Sequence, residues 1–192
     1  MNFDRVRHAL RGALFNFVHQ PERALAAYRD SLRADPQHAG TLRMLGWLEA
    51  QQKRWPAAEA WLARAVELDP DNAHTWFNLG WVRDHGGMDE AACEAFMRAT
   101  QLAPHNDRAW YGLGMLHARH GRHREAAVAL TEAGRLQPMN GLAWYALGMA
   151  WQHCNEPEKV AEVIEHTLAH DPQTAQRLIR DTGRSDYAAQ LG

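Results

Sequence analysis

The sequence predicts an all-α fold in which a short pair of helices repeats along the chain. Prolines recur at intervals of 34 residues, at Pro36, Pro70, Pro104, Pro138 and Pro172. A second motif, an apolar residue followed three and four positions later by Leu and Gly, recurs in phase with them. It begins at Leu42, Trp76, Trp110 and Trp144. Regular spacing of this kind indicates a stacked array of identical structural units.

Each part of the repeated motif has a physical reason. An apolar residue, a Leu and a Gly at i, i+3 and i+4 lie on one face of a helix, which is therefore buried. The Gly lets a second helix approach closely. A proline cannot continue a helix, so Pro36 and Pro70 are expected to end one unit and turn the chain into the next. Pro21, Pro56 and Pro157 differ, because they are predicted in the first turn of a second helix.

These motifs resemble the tetratricopeptide repeat. The family pattern also asks for an Ala followed four residues later by a large apolar residue. The chain supplies this pair at Ala24 and Tyr28, Ala58 and Leu62, Ala92 and Phe96, and Ala126 and Leu130, with Val160 and Ile164 in the last repeat. The aromatic residue expected three positions after the Gly is present as Phe15 and Trp151 and replaced by Glu49, Arg83 and His117.

The predicted architecture is one domain spanning residues 1–192, a right-handed superhelical solenoid of helix-turn-helix repeats with a C-terminal capping helix. In the last segment Leu178 is in register with the Trp position, and Gly183 fits a helix C-terminus. The first repeat is degenerate, because His8 and Arg11 stand where Trp and Leu belong. The predicted repeats are 5–38, 39–72, 73–106, 107–140 and 141–174, and 175–192 is the capping segment.

Composition excludes several classes of partner. With 21 Lys and Arg against 23 Asp and Glu, the formal net charge is -2, which gives no electrostatic reason to expect nucleic acid or an anionic membrane. The N-terminus lacks a signal-peptide pattern, and the longest mostly apolar stretch, 141–151, is shorter than the about 20 residues of a spanning helix. A cytoplasmic protein with two free thiols, Cys93 and Cys154, and no cofactor is expected.

The resemblance implies that a partner binds the concave surface lined by the first helix of each repeat. Each first helix carries a second stripe of large side chains, displaced from the Trp-Leu-Gly stripe. Aromatic residues, Met and Arg are the types enriched in binding surfaces. The predicted groove residues are Arg43, Trp47, His74, Phe77, Asn78, Trp81, Arg108, Tyr111, Met115, Arg119, Tyr145 and Met149. His85 is a further expected member of its polar margin. These side chains suit a peptide with apolar anchors and some acidic character.

Metal binding and catalysis find little support in the sequence. The best-spaced histidines are His117, His120 and His123, and the pair His166 and His170, but no cluster of Cys or carboxylates completes a site. Cys154 beside His153 is the one candidate for a reactive thiol. None of the patterns GxSxG, GxxxxGK[ST], GxGxxG or HExxH occurs, so the chain is not expected to be an enzyme.

Three functional hypotheses follow. The leading one is an adaptor or scaffold that holds a peptide or protein segment in the groove, with Trp81 as a hot spot. The second is a dedicated chaperone of the kind that bacteria pair with secreted proteins, which would protect an aggregation-prone client. The third is a homo-oligomer in which the first repeat of one molecule docks in the groove of the next. Relatives that grip the C-terminal carboxylate of heat-shock chaperones have basic residues and asparagines where this chain has Trp47, Trp81, Met115 and Met149.

Overall fold

The computed structural model describes residues 3–187, and this part of the chain contains eleven α-helices and no β-strand. The predicted class, an all-α helical repeat solenoid, is confirmed. Residues 188–192 of the predicted capping segment lie outside the described residues, as do residues 1 and 2. The helices divide into two compact units, residues 1–102 and 103–192.

The first unit holds three helix pairs. Within each pair the two helices pack side by side. Its core contains leucines from the first and second helices, among them Leu25, Leu42, Leu45, Leu62 and Leu79, all fully buried. The helices are α1 (Phe3–Phe17), α2 (Pro21–Ala34), α3 (Ala39–Gln51), α4 (Trp55–Leu68), α5 (Ala73–His85) and α6 (Asp89–Leu102).

The second unit holds two helix pairs and one further helix. Its core is continuous from Leu130 and Leu147 to Ile164 and Leu178. The helices are α7 (Asp107–Arg119), α8 (His123–Leu136), α9 (Gly141–His153), α10 (Pro157–His170) and α11 (Pro172–Thr182). None of the helices in the described chain is long and apolar enough to cross a membrane.

Polar side chains begin the first helix of each repeat after the first. Asn72, Asn106 and Asn140 each accept a hydrogen bond at the side-chain oxygen from the backbone N–H three residues later. His38 occupies the same position and accepts from the Thr41 N–H at its ring nitrogen Nδ1 over 3.0 Å. Each cap satisfies a backbone donor that would otherwise lack a partner in the first turn of the helix.

Prolines lie in the first turn of three second helices and in turns between repeats, as the sequence predicts. Pro21, Pro56 and Pro157 lie in the first turn of α2, α4 and α10. Pro36 and Pro70 follow the ends of α2 and α4 and lie in the turns between repeats. Pro172 differs because it begins a helix, so α11 starts three residues before the segment predicted from its apolar positions. Gly183 ends α11 with φ of 69°, as predicted.

The turn inside each pair contains one residue with left-handed backbone, again at intervals of 34 residues. Gly87 and Gly121 occupy it in two repeats with φ of 75° and 70°. His19, Lys53 and Asn155 occupy it in the other three with φ between 54° and 57°. The left-handed region costs L-residues about 1–2 kcal/mol, whereas Gly enters it freely. The geometry of the turn is therefore conserved between repeats although the residue is not.

The repeated glycines lie where two helices meet. A Cβ at Gly80 would fall within 3.0 Å of the Phe96 ring, and one at Gly46 within 2.6 Å of the Leu62 side chain. Gly148 faces a different neighbour, because a Cβ there would lie 2.6 Å from Leu178 of α11. Leu178 thus covers the last helix pair, which is the contact that its register with the Trp position predicts.

Two departures from the repeat pattern are explained by ion pairs. Glu49, which stands at an expected aromatic position, is buried and pairs with Arg29 over 2.8 Å and with Arg54 over 3.3 Å. Arg83, at the equivalent position of the next repeat, pairs with Glu59 over 2.9 Å. A buried charge is tolerated only when paired, so these residues replace an apolar contact with a charged one.

Candidate functional site

The first unit contains a cleft of about 440 Å³ between α1, α3 and α5. We call it the N-terminal cleft. Four of the predicted groove residues line it, Arg43 and Trp47 on α3 and His74 and Asn78 on α5. Its remaining lining comes from α1, α2 and the start of α3, with Arg5, Val6, Ala9, Leu10, Tyr28, His38, Gly40, Thr41 and Met44.

The N-terminal cleft combines an apolar wall with basic groups. Two arginines line it, and none of its lining residues carries a carboxylate. Arg5 pairs with Asp35 over 3.4 Å and Arg43 with Asp69 over 3.3 Å, so each guanidinium is held in place by an acidic residue outside the lining. A bound carboxylate would meet two oriented cations, and an apolar side chain would meet Trp47, Met44 and Leu10.

Two histidines complete the polar side of the N-terminal cleft. Burial, together with the positive charge of Arg5, lowers the pKa of His38 below its ordinary value. The His74 ring lies 3.3 Å from the Asn78 side-chain nitrogen, one turn further along α5. His38 is therefore neutral at pH 7, and its Nδ1 is occupied by the helix cap described above.

The second unit contains a cleft of about 340 Å³ between α7, α9 and α11, which we call the C-terminal cleft. Four more predicted groove residues line it, Tyr111 and Met115 on α7 and Tyr145 and Met149 on α9. The rest of its lining is Ala118, His123, Leu142, Ala146, Ala150, His153 and Arg177. None of these residues is acidic.

A cation stacked on an aromatic ring marks one side of the C-terminal cleft. The Arg177 guanidinium carbon lies 3.9 Å from the centroid of the Tyr145 ring, a close cation–π arrangement. The Tyr145 hydroxyl donates to Asp181 over 2.8 Å. That hydrogen bond, followed by the interaction with Arg180, lowers the pKa of Asp181, and burial is the main cause that raises the pKa of Tyr145. Arg177 is held over the cleft by both neighbours, because its Nε also lies 3.6 Å from Asp181.

Four predicted groove residues line neither cleft. The Phe77 ring packs 5.9 Å from the Phe96 ring, within its own helix pair. Trp81 lies 5.5 Å from Trp55 and 4.2 Å from His85, and 38 % of it remains exposed. Arg108 and Arg119 are exposed near the two ends of α7. Trp81 therefore belongs to a small aromatic cluster on the surface of the first unit.

The contributions of α1 and α11 to the clefts are not visible in the sequence patterns. Arg5, Val6 and Leu10 line the N-terminal cleft although the first repeat reads as a degenerate cap. Arg177 lines the C-terminal cleft although α11 reads as a cap alone. No motif points to these residues, because they lie outside the repeats that carry the pattern.

The predicted histidine sets do not assemble into a metal centre. His123 stacks on His153 with ring centroids 4.4 Å apart. His166 stacks on His170 at 4.5 Å, as the spacing of that pair suggests, and its ring also lies 3.8 Å from that of Trp144. Burial lowers the pKa of His117. Within residues 3–187, no group of three or more His, Cys, Asp or Glu side chains is placed to hold a metal ion. Cys93 is buried on α6, and Cys154 is partly exposed at the end of α9.

Comparison with known protein families finds a repeat family that matches the chain. The family model of the tetratricopeptide repeat matches residues 18–73, 83–134 and 111–153, together more than half of the chain. No curated protein sequence matches the chain significantly.

Solved structures resemble the chain in fold. A crystal structure of MamA superposes with a TM-score of 0.81 at 22% identity and covers 96% of both chains. YrrB, described as a TPR protein with an unusual peptide-binding site, gives 0.80 at 22% identity over 92% of both chains. PilF of Pseudomonas aeruginosa gives 0.73 at 18% identity over 98% of this chain and 88% of that one. At these identities the likeness extends to the fold and not to individual site residues.

Proposed function

Because this chain belongs to the tetratricopeptide repeat family, we propose that it is an interaction adaptor that holds a peptide or protein segment against the first helices of its repeats. The observation that carries the proposal is the pair of clefts. Each lies between first helices of neighbouring repeats, and each is lined by large apolar side chains and basic groups without an acidic residue.

The chemistry of the lining selects the ligand class. An apolar wall with oriented arginines favours a segment that has a large apolar side chain close to a carboxylate. A neutral or basic segment would leave Arg43 or Arg177 without an anionic partner from the ligand. YrrB, a protein of the same fold described as having a peptide-binding site, supports a peptide as the class of ligand.

Affinity selection from a random 12-residue peptide display library would test the proposal. We expect the selected peptides to share an aromatic or aliphatic residue next to Asp, Glu or a free C-terminus. Arg43→Ala/Trp47→Ala should weaken those that bind the N-terminal cleft, and Arg177→Ala/Tyr111→Ala those that bind the C-terminal cleft. Losing a hot spot of about 2 kcal/mol corresponds to roughly a 30-fold weaker Kd.

Met97→Ala is the control, because Met97 is a large exposed apolar residue that lines neither cleft. Circular dichroism should show equal helix content for every variant. Peptides that bind all variants equally, or a library without binders, would contradict the proposed function. Trp81→Ala belongs in the same series, since the sequence predicts Trp81 as a hot spot of the groove although it lines neither cleft.

A dedicated chaperone would use the same clefts to protect an aggregation-prone client. A chaperone would keep an otherwise insoluble client in a stoichiometric complex, whereas an adaptor would bind a folded partner through a short segment. Expression of the client with and without this chain distinguishes them. Only a chaperone changes the solubility of its client.

A further inference from the structure

Helix α1 presents an unusual row of large apolar side chains to solvent. Phe3, Leu10, Leu14 and Phe17 are 78%, 67%, 59% and 80% exposed, and the partly buried Val6 lies beside them. Scattered apolar residues are normal on a protein surface, but a contiguous row on one helix marks an interaction surface. We call these five residues the α1 stripe.

The α1 stripe faces away from the partner helix α2, and two of its members, Val6 and Leu10, lie at the edge of the N-terminal cleft. At 100° per residue its members fall within a narrow sector of the helix. Gly12, on the opposite side, is buried so closely against α2 that an added Cβ would lie 2.8 Å from the Tyr28 ring. The tightest contact of α1 with α2 therefore lies on the side of the helix opposite the stripe.

The spacing of the stripe is symmetric. Successive members are separated by three, four, four and three residues, and the central one, Leu10, is also the midpoint of α1. A twofold axis through Leu10 would place Phe3 on Phe17 of a second copy and Val6 on Leu14 of that copy. Leu10 would then meet its own equivalent. A surface that is complementary to itself in this way is what an isologous dimer requires.

The charges beside the stripe are already engaged within the chain. Arg7 pairs with Asp4 over 3.2 Å. The guanidinium of Arg11 lies 5.5 Å from the centroid of the Phe15 ring, on the side of the helix away from the stripe. An antiparallel pair would therefore bury apolar side chains without burying an isolated charge, and it would also align the two helix dipoles in opposite directions.

We propose that α1 is a dimerisation helix, which packs antiparallel against α1 of a second copy through Phe3, Val6, Leu10, Leu14 and Phe17. The contact is small. A 15-residue helix is about 22 Å long, so one helix pair falls at the low end of specific interfaces. The dimer should dissociate with a Kd on the order of 10 µM. This closed pair differs from the head-to-tail array considered above, since α1 packs against its own equivalent and not in the groove of the next molecule. Val6 and Leu10 of the stripe also line the N-terminal cleft.

Single-cysteine crosslinking tests the twofold arrangement directly. In a Cys93→Ala/Cys154→Ser background, Leu10→Cys places two thiols next to the axis, and mild oxidation should give a disulfide-linked dimer. Phe3→Cys alone should give little dimer. An equal mixture of Phe3→Cys and Phe17→Cys proteins should form the mixed dimer. Efficient crosslinking of Phe3→Cys to itself would indicate a parallel pair and overturn the proposal.

Sedimentation equilibrium supplies an independent measurement on the otherwise unmodified chain. Leu14→Glu/Phe17→Glu should weaken the dimer at least about 100-fold, because one charge would enter each of the four contacts that flank Leu10. Val128→Glu/Met139→Glu, which alters two equally exposed apolar residues elsewhere, should leave it unchanged. A wild-type protein that stays monomeric up to about 1 mM, far above the expected Kd, would refute the proposal.

The dimer and the proposed peptide binding can fail separately. Leu14 and Phe17 line neither cleft, and no residue of α1 lines the C-terminal one, so their substitution should leave affinity for peptides that bind the C-terminal cleft intact. Flotation with phosphatidylcholine and phosphatidylglycerol vesicles tests whether the α1 stripe binds a lipid surface instead of a second copy. If wild-type protein floats and Leu14→Glu/Phe17→Glu does not, while no dimer is detected, the stripe binds lipid and the proposal is wrong.

Discussion

The hydroxyl of Tyr145 donates a hydrogen bond to the carboxylate of Asp181 over 2.8 Å. It thereby ties α9, the last of the repeated first helices, to α11. The same carboxylate lies 3.6 Å from Arg177, whose guanidinium covers the Tyr145 ring. The Asp181 carboxylate thus holds α11 against α9 and also positions Arg177, which lines the C-terminal cleft.

Tyr145→Phe removes this hydrogen bond and keeps the ring. We expect α11 to open more often, with the free energy of local opening reduced by about 0.5–1.5 kcal/mol, the net contribution of a typical hydrogen bond. Hydrogen exchange of residues 172–182 should accelerate about 2- to 10-fold, as that energy implies. Tyr111→Phe, which removes a hydroxyl from α7, is the control. Equal exchange of α11 in both variants would show that the bond does not hold the helix.

The sequence predicts the repeated part of the fold well, because its signals are local. The proline positions and the close approach of a second helix at glycines such as Gly80 follow from short patterns that recur. The contributions of Arg5 and Arg177 to the clefts depend on packing between elements that lack the pattern. Local periodicity cannot show that Trp81 packs on Trp55 whereas Trp47 lines a cleft, since both tryptophans occupy the same repeat position.

Glu49 is a buried carboxylate whose partners are both surface arginines. Arg29→Ala/Arg54→Ala would leave it buried without a cation, which is strongly unfavourable. We expect the triple variant that also carries Glu49→Leu to be more stable than this double variant by about 1–4 kcal/mol, because an apolar residue no longer needs the pair. Urea denaturation monitored by circular dichroism measures the difference. A triple variant less stable than the double one would mean that Glu49 finds other partners.

Lys53 adopts left-handed backbone at a position where two other repeats have Gly. Lys53→Gly should relieve the strain and stabilise the chain, and part of the gain is lost to the greater freedom of the unfolded state. The expected net gain is about 0.5–1 kcal/mol. Lys53→Ala is the matched control, since it removes the same side chain but keeps the Cβ that opposes this conformation. A gain in Lys53→Ala equal to that in Lys53→Gly would assign the effect to the side chain instead.

His38 is expected to make stability depend on pH between neutrality and pH 5. Its pKa in the folded chain lies below the ordinary value of 6.5, chiefly because of burial. The unfolded chain therefore binds the proton more readily, so stability that is present above about pH 6.5 is lost as the pH falls below it. Protonation also removes the Nδ1 lone pair that accepts from the Thr41 N–H.

His38→Asn tests this, because Asn72, Asn106 and Asn140 already cap the equivalent helices without titrating. Between pH 7.5 and 5.0 we expect the wild type to lose about 1 kcal/mol more than the variant, the usual value of an N-cap bond. Urea midpoints at several pH values give the comparison. The lowered pKa of His117 affects both proteins equally and cancels. Parallel stability curves for the two proteins would show that protonation of His38 does not destabilise the fold, which would contradict the prediction.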